Sequence, residues 1–166
     1  GLTAFLIADG FGALVDATHP FAARISVHAV QAAAHARVPL LRLERPAWRA
    51  LPGDRWRAAA DMEEAATLLG AAPRRVFLTI GRLELDAFLR APQHDYLIRA
   101  VDPFTPQLPS ARVLAARGPF ALADELQLLE RERIELIVSK NAGTAATYAK
   151  VEAVYPTPFW RAAGLS

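Results

Sequence analysis

Hydrophobic and polar positions along the chain form blocks whose spacing alternates between that of strands and that of helices. Short, mostly apolar runs predict strands at 13–16, 38–43, 75–80, 96–101, 112–117 and 134–140, with a possible short one at 55–59. The run at 75–80 is continuous, as is typical of a strand covered on both faces. Apolar residues at helical spacing predict helices at 1–9, 20–36, 62–69, 83–90, 121–132 and 144–153. Because strands and helices take turns, the sequence predicts an α/β fold with mostly parallel sheets.

The best linker candidate is Ala-Ala-Pro-Arg at 71–74, which divides the chain into two halves, 1–72 and 73–166. The first half is predicted to be incomplete, because residues 1–9 resemble the end of a helix stopped by glycine. The last stretch, VYPTPFWRAAGLS, has no clear period and contains two prolines in three residues, which predicts a frayed tail.

Composition narrows the classes of function. The chain has 166 residues and no cysteine, which excludes disulfides and Cys-ligated metal sites and suits the cytoplasm. No apolar run reaches the roughly 18 residues that a membrane span needs, and the start does not resemble a signal peptide. The net charge is only +2, with two Lys among many Arg, and no basic stripe carries stacking aromatics. Nucleic acid and membrane are therefore not expected as partners.

The polar residues Asp16, Thr18 and His19 follow the predicted strand 13–16 directly, and Pro20 fits the first turn of the next helix. In an open parallel sheet, ligands bind where strands end and helices begin, so Thr18 and His19 are candidate site residues. The alternative is a helix cap, in which Thr18 or His19 satisfies the first N–H groups of that helix. Local chemistry alone does not separate the two.

Polar groups also stand at the ends of other predicted strands. They comprise Gly81-Arg82, Arg117-Gly118 and Lys140-Asn141-Ala142-Gly143, with Arg99 inside a strand and Arg42 and Arg45 around the end of another. Because parallel strands end at one edge, these groups can form a basic crevice whose glycines let backbone approach a polyanionic ligand. The alternative is that the glycines form ordinary turns and the arginines are solvated.

Several well-known motifs are absent from the sequence. It contains no GxxxxGK[ST], no GxGxxG, no GxSxG and no HExxH. The histidines are not at metal-ligand spacing, so no metal site is predicted.

Five motifs nevertheless resemble one family, in both order and spacing. They are DATHPFA at 16–22, RLERPAW at 42–48, FLTIGR at 77–82, ARGPF at 116–120 and SKNAGTAATYAK at 139–150. Together they resemble the precorrin-6A reductases of cobalamin biosynthesis, over residues 1 to about 153. The resemblance implies reduction of one ring double bond of precorrin-6A to precorrin-6B with NADPH. It also implies a carboxylate-rich tetrapyrrole as substrate and two Rossmann-like domains with the ligands between them.

The resemblance implies roles for the candidate residues. Thr18 and His19 would line the catalytic cleft near the nicotinamide. The implied cofactor-binding residues are Gly81, Arg82, Lys140, Asn141 and Gly143. The implied substrate-binding residues are Arg45, Arg99, Arg117 and Gly118. Residues 1–72 would then be the remainder of the cofactor domain, 73–166 the C-terminal Rossmann-like domain, and the protein a cytoplasmic enzyme with a monomer favoured.

The sequence departs from the family pattern at both ends. The Gly-rich turn that cradles the cofactor's phosphates has no counterpart, and VYPTPFWRAAGLS does not resemble the family's last strand. We therefore expect a chain with poor stability in its first half and no turnover by itself. Two alternatives stay open, namely a cobalt-precorrin-6A reductase and an inactive fragment that acts only as a polyanion-binding α/β module.

Overall fold

The chain forms two compact units, Gly1–Pro46 and Ala47–Ser166, in a computed structural model. The structure describes residues 1–144 and 147–153, and the backbone of 161–165. Each unit is an α/β layer arrangement with its own parallel sheet, which confirms the predicted fold class.

The first unit consists of α1 (Leu2–Ala8), β1 (Leu14–Asp16), α2 (Ala23–Ala36) and β2 (Leu40–Arg42). The two strands pair in parallel, with Asp16 opposite Arg42. The buried residues of the two helices include Leu6, Ala29, Ala32 and Ala33, and the small alanine side chains permit close packing of α1 on α2.

Helix α2 begins later than the sequence predicted. Residues 20 and 21 form a turn that is closed by the Ala22 N–H, which donates to the His19 carbonyl at 2.7 Å, and the helix starts at Ala23. No side chain caps this helix, so the interpretation of Thr18 or His19 as a helix cap is wrong. Pro20 biases His19 toward extended backbone, which delays the helix by a turn.

The second unit is built on a six-stranded parallel sheet in the order β3-β8-β7-β4-β5-β6. Its strands are β3 (Arg57–Ala59), β4 (Arg75–Thr79), β5 (Asp95–Ala100), β6 (Ala111–Ala115), β7 (Leu136–Lys140) and β8 (Arg161–Leu165). Its helices are α3 (Met62–Leu68), the 3-10 helix Arg82–Arg90, α4 (Leu122–Arg131) and α5 (Ala149–Glu152).

The core of this unit lies between the sheet and α4. Phe77 and Ile137 of the central strands pack with Leu128 and Leu129 of α4, and all four are buried. The apolar runs of β4 and β7 therefore reflect central strands whose successive side chains are buried, at 76–78 and 136–139, as expected for strands covered on both faces.

The boundary between the units differs from the predicted one. Residues 47–72 belong with the second unit, because β3 pairs with β8 and α3 packs against the 3-10 helix. The units therefore divide between Pro46 and Ala47, not near residue 72. The boundary is set by the pairing of β3 with β8, two strands that are distant in sequence. A linker candidate chosen for its proline does not reveal such pairing.

The predicted frayed tail is corrected at 161–165, where β8 pairs in parallel with β7 on one side and β3 on the other. β8 is defined by its backbone pairing with these two strands, which the small residues at 162–164 do not signal through a hydrophobic period. The rest of the predicted tail, 154–160 and 166, lies outside the described residues. The helix predicted at 144–153 is observed as α5 alone, and 145–146 also lie outside the described residues.

Candidate functional site

The strand order of the second unit creates a switch point between β4 and β7. From β4 the chain proceeds outward through β5 and β6, and then returns to place β7 on the other side of β4. The last paired residues are Thr79 and Ser139, so the two strands end side by side. In doubly wound sheets the crevice at such a point is the usual place for a ligand. Gly81-Arg82 and Lys140-Asn141 are thereby brought to one edge, as their positions in the sequence predicted.

A carboxylate from the same unit already lies at this edge. Lys140 Nζ is 2.5 Å from Glu84 Oε1, and the Gly81 N–H donates to Glu84 Oε2 at 2.8 Å. A Cβ on residue 81 would lie 3.0 Å from that oxygen, so glycine is what lets the carboxylate sit so close. The donors at the switch point therefore form an oxyanion site, which Glu84 fills.

The sequence reasoning missed Glu84. The sequence does carry a signal for this residue, because Glu84 stands three residues after Gly81, the glycine at the end of the strand. At that spacing a Glu side chain reaches back to the N–H at the start of the helix. That spacing is common at helix starts, and only the approach of Lys140 distinguishes this one.

Arg82 lies on the outer side of the same edge. Its guanidinium carbon is 5.5 Å from the centre of the Phe104 ring, and its side chain is exposed. Arg82, Leu85, Phe104 and Leu108 contribute to the wall of a cavity of about 270 Å³ between the 3-10 helix and the Pro-rich loop 102–110. The same wall also carries Asp86, Thr105 and Gln107, so the arrangement places a cation at a cavity of mixed polar and apolar character.

Asn141 is engaged on both sides of its amide. Its Oδ1 accepts from the Trp48 N–H at 2.7 Å, and its Nδ2 donates to the Trp48 carbonyl at 2.8 Å. Gly143, two residues further on, has a φ of +63°, a left-handed conformation that favours glycine. Asn141 thus binds backbone of its own unit, which the sequence did not predict.

Arg99 is enclosed within the second unit. It donates to both carboxylate oxygens of Glu125 at 3.0 and 2.6 Å, and its guanidinium carbon lies 4.7 Å from the Phe77 ring centre and 3.9 Å from that of Phe120. Its side chain is 9% exposed. Such a planar, stacked and bidentate arrangement is what Arg forms better than Lys. Arg99 is therefore occupied by residues of its own unit, in contrast to the expected substrate contact.

The sequence reasoning also missed Glu125 and Lys150. Glu125 stands among Leu122, Leu126 and Leu129 on the apolar face of α4, and a lone acid on such a face indicates a buried partner. Lys150 is buried, and burial, with a smaller effect of Arg99, lowers its pKa to about 8 while Glu125 opposes the change. Glu125 thus pairs with Arg99 and also opposes the effect of burial on the pKa of Lys150.

The remaining predicted substrate residues lie at surfaces. Arg45 and Arg117 are exposed, the latter just after β6. Gly118 has a structural reason to be glycine, because a Cβ there would lie 3.1 Å from the Phe120 ring. That ring is the one stacked on Arg99, so Gly118 makes room for the stack.

In the first unit Asp16 organises the end of β1. Its Oδ1 accepts from the Thr18 N–H at 3.1 Å and from Thr18 Oγ1 at 2.6 Å, and Ser26 Oγ lies 3.3 Å from Thr18 Oγ1. The hydrogen bond from the Thr18 hydroxyl is the main cause that lowers the pKa of Asp16. The other oxygen, Oδ2, is buried and has no hydrogen-bond partner in the part of the chain that the structure describes. Asp16 is thus an ionised carboxylate that fixes the Thr18 turn.

His19 follows this turn on an exposed position. Its Nδ1 accepts from the Phe21 N–H at 3.3 Å, and its ring lies 5.8 Å from the ring of Phe21. With Nδ1 as acceptor, the neutral imidazole carries its proton on Nε2.

Among the described residues, no group of three or more His, Cys, Asp or Glu side chains could hold a metal ion. Over the same residues, no helix has both the length and the apolar character required to cross a bilayer.

The fold and the switch-point site define a parallel α/β protein with an oxyanion site built from a glycine N–H and a lysine. The chain belongs to the family described as Precorrin-6x reductase CbiJ/CobK, whose model matches residues 1–156. The family that the sequence motifs indicated is thereby confirmed.

Individual relatives agree with this assignment. A precorrin-6A reductase of Sinorhizobium sp is 52% identical over 92% of this chain, and one of Rhodobacter capsulatus is 46% identical over 91%. A solved structure named CobK precorrin-6A reductase superposes with a TM-score of 0.93 at 43% identity, over 99% of this chain. A cobalt-precorrin-6A reductase of Priestia megaterium is 31% identical over 92%.

The chain is shorter than these proteins. It spans 59% of the Sinorhizobium relative, 61% of the Rhodobacter relative and 66% of the chain in the solved structure.

Proposed function

We propose that this chain serves in the NADPH-dependent reduction of a ring double bond of precorrin-6A, which gives precorrin-6B in cobalamin biosynthesis. The observation that carries the proposal is the 52% identity to a precorrin-6A reductase over 92% of the chain. The identity to a cobalt-precorrin-6A reductase is lower, at 31%, and this difference favours the metal-free substrate over the cobalt-containing one. Within this proposal the enzyme works as a monomer in the cytoplasm, the first unit is part of the cofactor domain, and the second is the C-terminal Rossmann-like domain.

The switch point has the chemistry that an anionic ligand needs. The Gly81 N–H and Lys140 Nζ already hold the Glu84 carboxylate, so this donor set fits a phosphate or carboxylate of similar shape. In this proposal Gly81, Lys140 and Arg82 hold an anionic group of cofactor or substrate, and Glu84 must move aside to admit it. When bound, the reduced nicotinamide supplies the hydride for the ring carbon.

The remaining assignments follow from position. Arg45, Arg117 and the Gly118 backbone are proposed for substrate carboxylates, because exposed guanidiniums bind planar carboxylates in two-point contacts. Thr18 and His19 are proposed as catalytic residues. Asp16 fixes the turn that presents them, and the Nε2–H of neutral His19 is a donor for an oxygen of the substrate. Gly143 contributes backbone at the end of β7.

A reductase assay tests the proposal. NADPH oxidation, followed at its absorbance band, is measured for this chain with precorrin-6A and with cobalt-precorrin-6A, and the full-length Sinorhizobium relative is the positive control. Faster turnover of precorrin-6A supports the proposal, and a preference for the cobalt substrate contradicts the metal-free assignment. Binding of both NADPH and precorrin-6A without turnover agrees with the expectation for this chain by itself, whereas binding of precorrin-6A without any binding of NADPH would favour the alternative of a polyanion-binding module.

A further inference from the structure

The segment around Trp48 lacks regular secondary structure, yet its backbone is held at a fixed place. Residues 43–50 form no helix or strand, so the Trp48 N–H and carbonyl have no ladder to join. Both are instead bound by the Asn141 amide, at 2.7 and 2.8 Å, across 93 residues of sequence. The amide thereby imitates a neighbouring strand and connects this loop to the end of β7.

The Asn141 amide orientation follows from its partners. The Trp48 N–H requires an acceptor and the Trp48 carbonyl requires a donor, so exchange of Oδ1 and Nδ2 would break both hydrogen bonds. The Asn141 amide therefore uses one donor and one acceptor to bind the Trp48 backbone.

Two further side chains fix the Trp48 indole. The Tyr148 ring centre lies 5.8 Å away at an interplanar angle of 60°, and Lys150 Nζ lies 5.5 Å from the indole ring centre. Both distances fit favourable aromatic and cation–π contacts. The indole is thus held through its backbone and through its ring.

The fixed indole lines a cavity of about 530 Å³. The other lining residues are Leu122, Gly143, Tyr148, Ala149 and Glu152. This volume lies within the range of small-molecule sites. Its two aromatic residues, with Leu122, Gly143 and Ala149, suit a flat unsaturated ring, and the exposed Glu152 is the one charged side chain among the described lining residues. Trp48 and Tyr148 are half-buried, so they border the cavity and do not belong to the closed core.

We propose that Asn141 is a positioning residue, which holds Trp48 so that its indole receives a flat pyrrole-type ring of the substrate in this cavity. The inference rests on the proposed function for the nature of the ligand. It differs from the expected role of Asn141 in cofactor binding, because here Asn141 acts through Trp48.

A fluorescence titration tests the proposal with uroporphyrin, a stable tetrapyrrole that carries carboxylates on all of its pyrrole rings. In a Trp56→Phe/Trp160→Phe background, Trp48 is the sole tryptophan, and its quenching on titration gives the affinity. We expect saturable quenching, and Asn141→Ala should weaken binding about tenfold or more and shift the Trp48 emission. Thr79→Val is the matched control, because it removes another hydrogen bond from a side chain to backbone at the same sheet edge, at 3.1 Å, and should leave affinity unchanged.

A double-mutant cycle separates positioning from direct contact. Its affinities are measured in the chain with its natural Trp56 and Trp160, through the absorbance of uroporphyrin. Trp48→Phe should retain most of the affinity and Trp48→Ala should lose it, with no further loss when Asn141→Ala is added to Trp48→Ala. An additive loss would overturn the positioning role, and so would unchanged affinity in Asn141→Ala. No saturable quenching by uroporphyrin, or quenching by NADPH alone, would overturn the assignment of the cavity to a substrate ring.

These outcomes are independent of turnover. Binding of uroporphyrin that depends on Asn141, in a chain that lacks reductase activity with both substrates, would support the inference while the proposed function fails. Turnover of precorrin-6A with a KM unaffected by Asn141→Ala would overturn the inference alone.

Discussion

Arg99 and Glu125 form a two-point ion pair inside the second unit, with hydrogen bonds of 3.0 and 2.6 Å and side chains that are 9% and 2% exposed. Phe77 and Phe120 cover the guanidinium of Arg99. The charges of both Arg99 and Glu125 act on Lys150, with opposite effects on its pKa. The Arg99 Nε is buried and has no hydrogen-bond partner among the described residues, so Glu125 is the main compensation for two buried cations. The pair connects β5 to α4 and so stabilises the layer beneath the switch point.

The first prediction concerns Glu125. Glu125→Gln leaves Arg99 and Lys150 buried without a carboxylate, so we expect the free energy of unfolding to fall by about 3–5 kcal/mol. Urea unfolding followed by tryptophan fluorescence measures this. Glu130→Gln, at an exposed position of the same helix, is the control and should change stability by less than about 0.5 kcal/mol. Equal effects of the two substitutions would show that the pair contributes nothing specific.

The second prediction concerns Lys150. Burial lowers its pKa from 10.5 to about 8, which corresponds to a cost of roughly 3 kcal/mol for the charged form. Lys150→Met should therefore stabilise the protein at pH 7, by up to roughly that amount. Because the unfolded chain keeps its proton up to 10.5 while the folded chain loses it near 8, wild-type stability should rise relative to Lys150→Met as the pH increases above 8. Unfolding curves between pH 7 and 9.5 check this, and a constant difference over that range would refute it.

The third prediction concerns His94, which is fully buried against Tyr96. Its Nε2 lies 3.2 Å from Gln93 Nε2, an amide nitrogen that can only donate, so the imidazole accepts there and protonation would break the contact. Burial is the main cause that lowers the pKa of His94 below 6.5.

The unfolded chain therefore binds a proton more readily than the folded one, and stability should be lost as the pH falls below 6.5. The urea midpoint of the wild type should decrease between pH 7.5 and 5.5, and His94→Phe should remove part of that decrease. His28→Phe, at an exposed position, serves as the control. A pH slope that is the same in all three proteins would contradict the assignment.

The fourth prediction concerns the oxyanion site. Glu84 competes with any external anion for Lys140, and a half-buried ion pair of this kind is worth about 1 kcal/mol. Glu84→Gln should thus increase the affinity for pyrophosphate about fivefold, as measured by calorimetry. Glu63→Gln, the control, makes the same change of charge at an exposed position of α3 and should leave the affinity for pyrophosphate unchanged. Lys140→Met, added to Glu84→Gln, should abolish the gain. Weaker binding in Glu84→Gln would indicate that this carboxylate assists the ligand instead of competing with it.

The sequence alone predicted the local structure well where a period is long and clear. The strands at β4 and β7 are continuous apolar runs, and Asp61 caps α3 by accepting from the Glu64 N–H at 2.8 Å, as its position before the helix indicated. The ends of these strands placed Gly81 and Lys140 at one edge, because parallel strands must end together. Five motifs with ordered spacing were enough to indicate the family, because motifs are recognised without any knowledge of which residues are in contact.

Tertiary structure decided which partner each polar residue takes. Nothing local distinguishes Arg99, which is stacked and paired inside the unit, from Arg117, which is exposed, and nothing local predicts that Asn141 binds backbone 93 residues away. β8 and the boundary at Pro46 were missed for the same reason, since both depend on a strand that pairs with neighbours distant in sequence. Periodicity is a property of the chain near a residue, whereas hydrogen bonds and ion pairs depend on what the fold brings within about 3 Å of it.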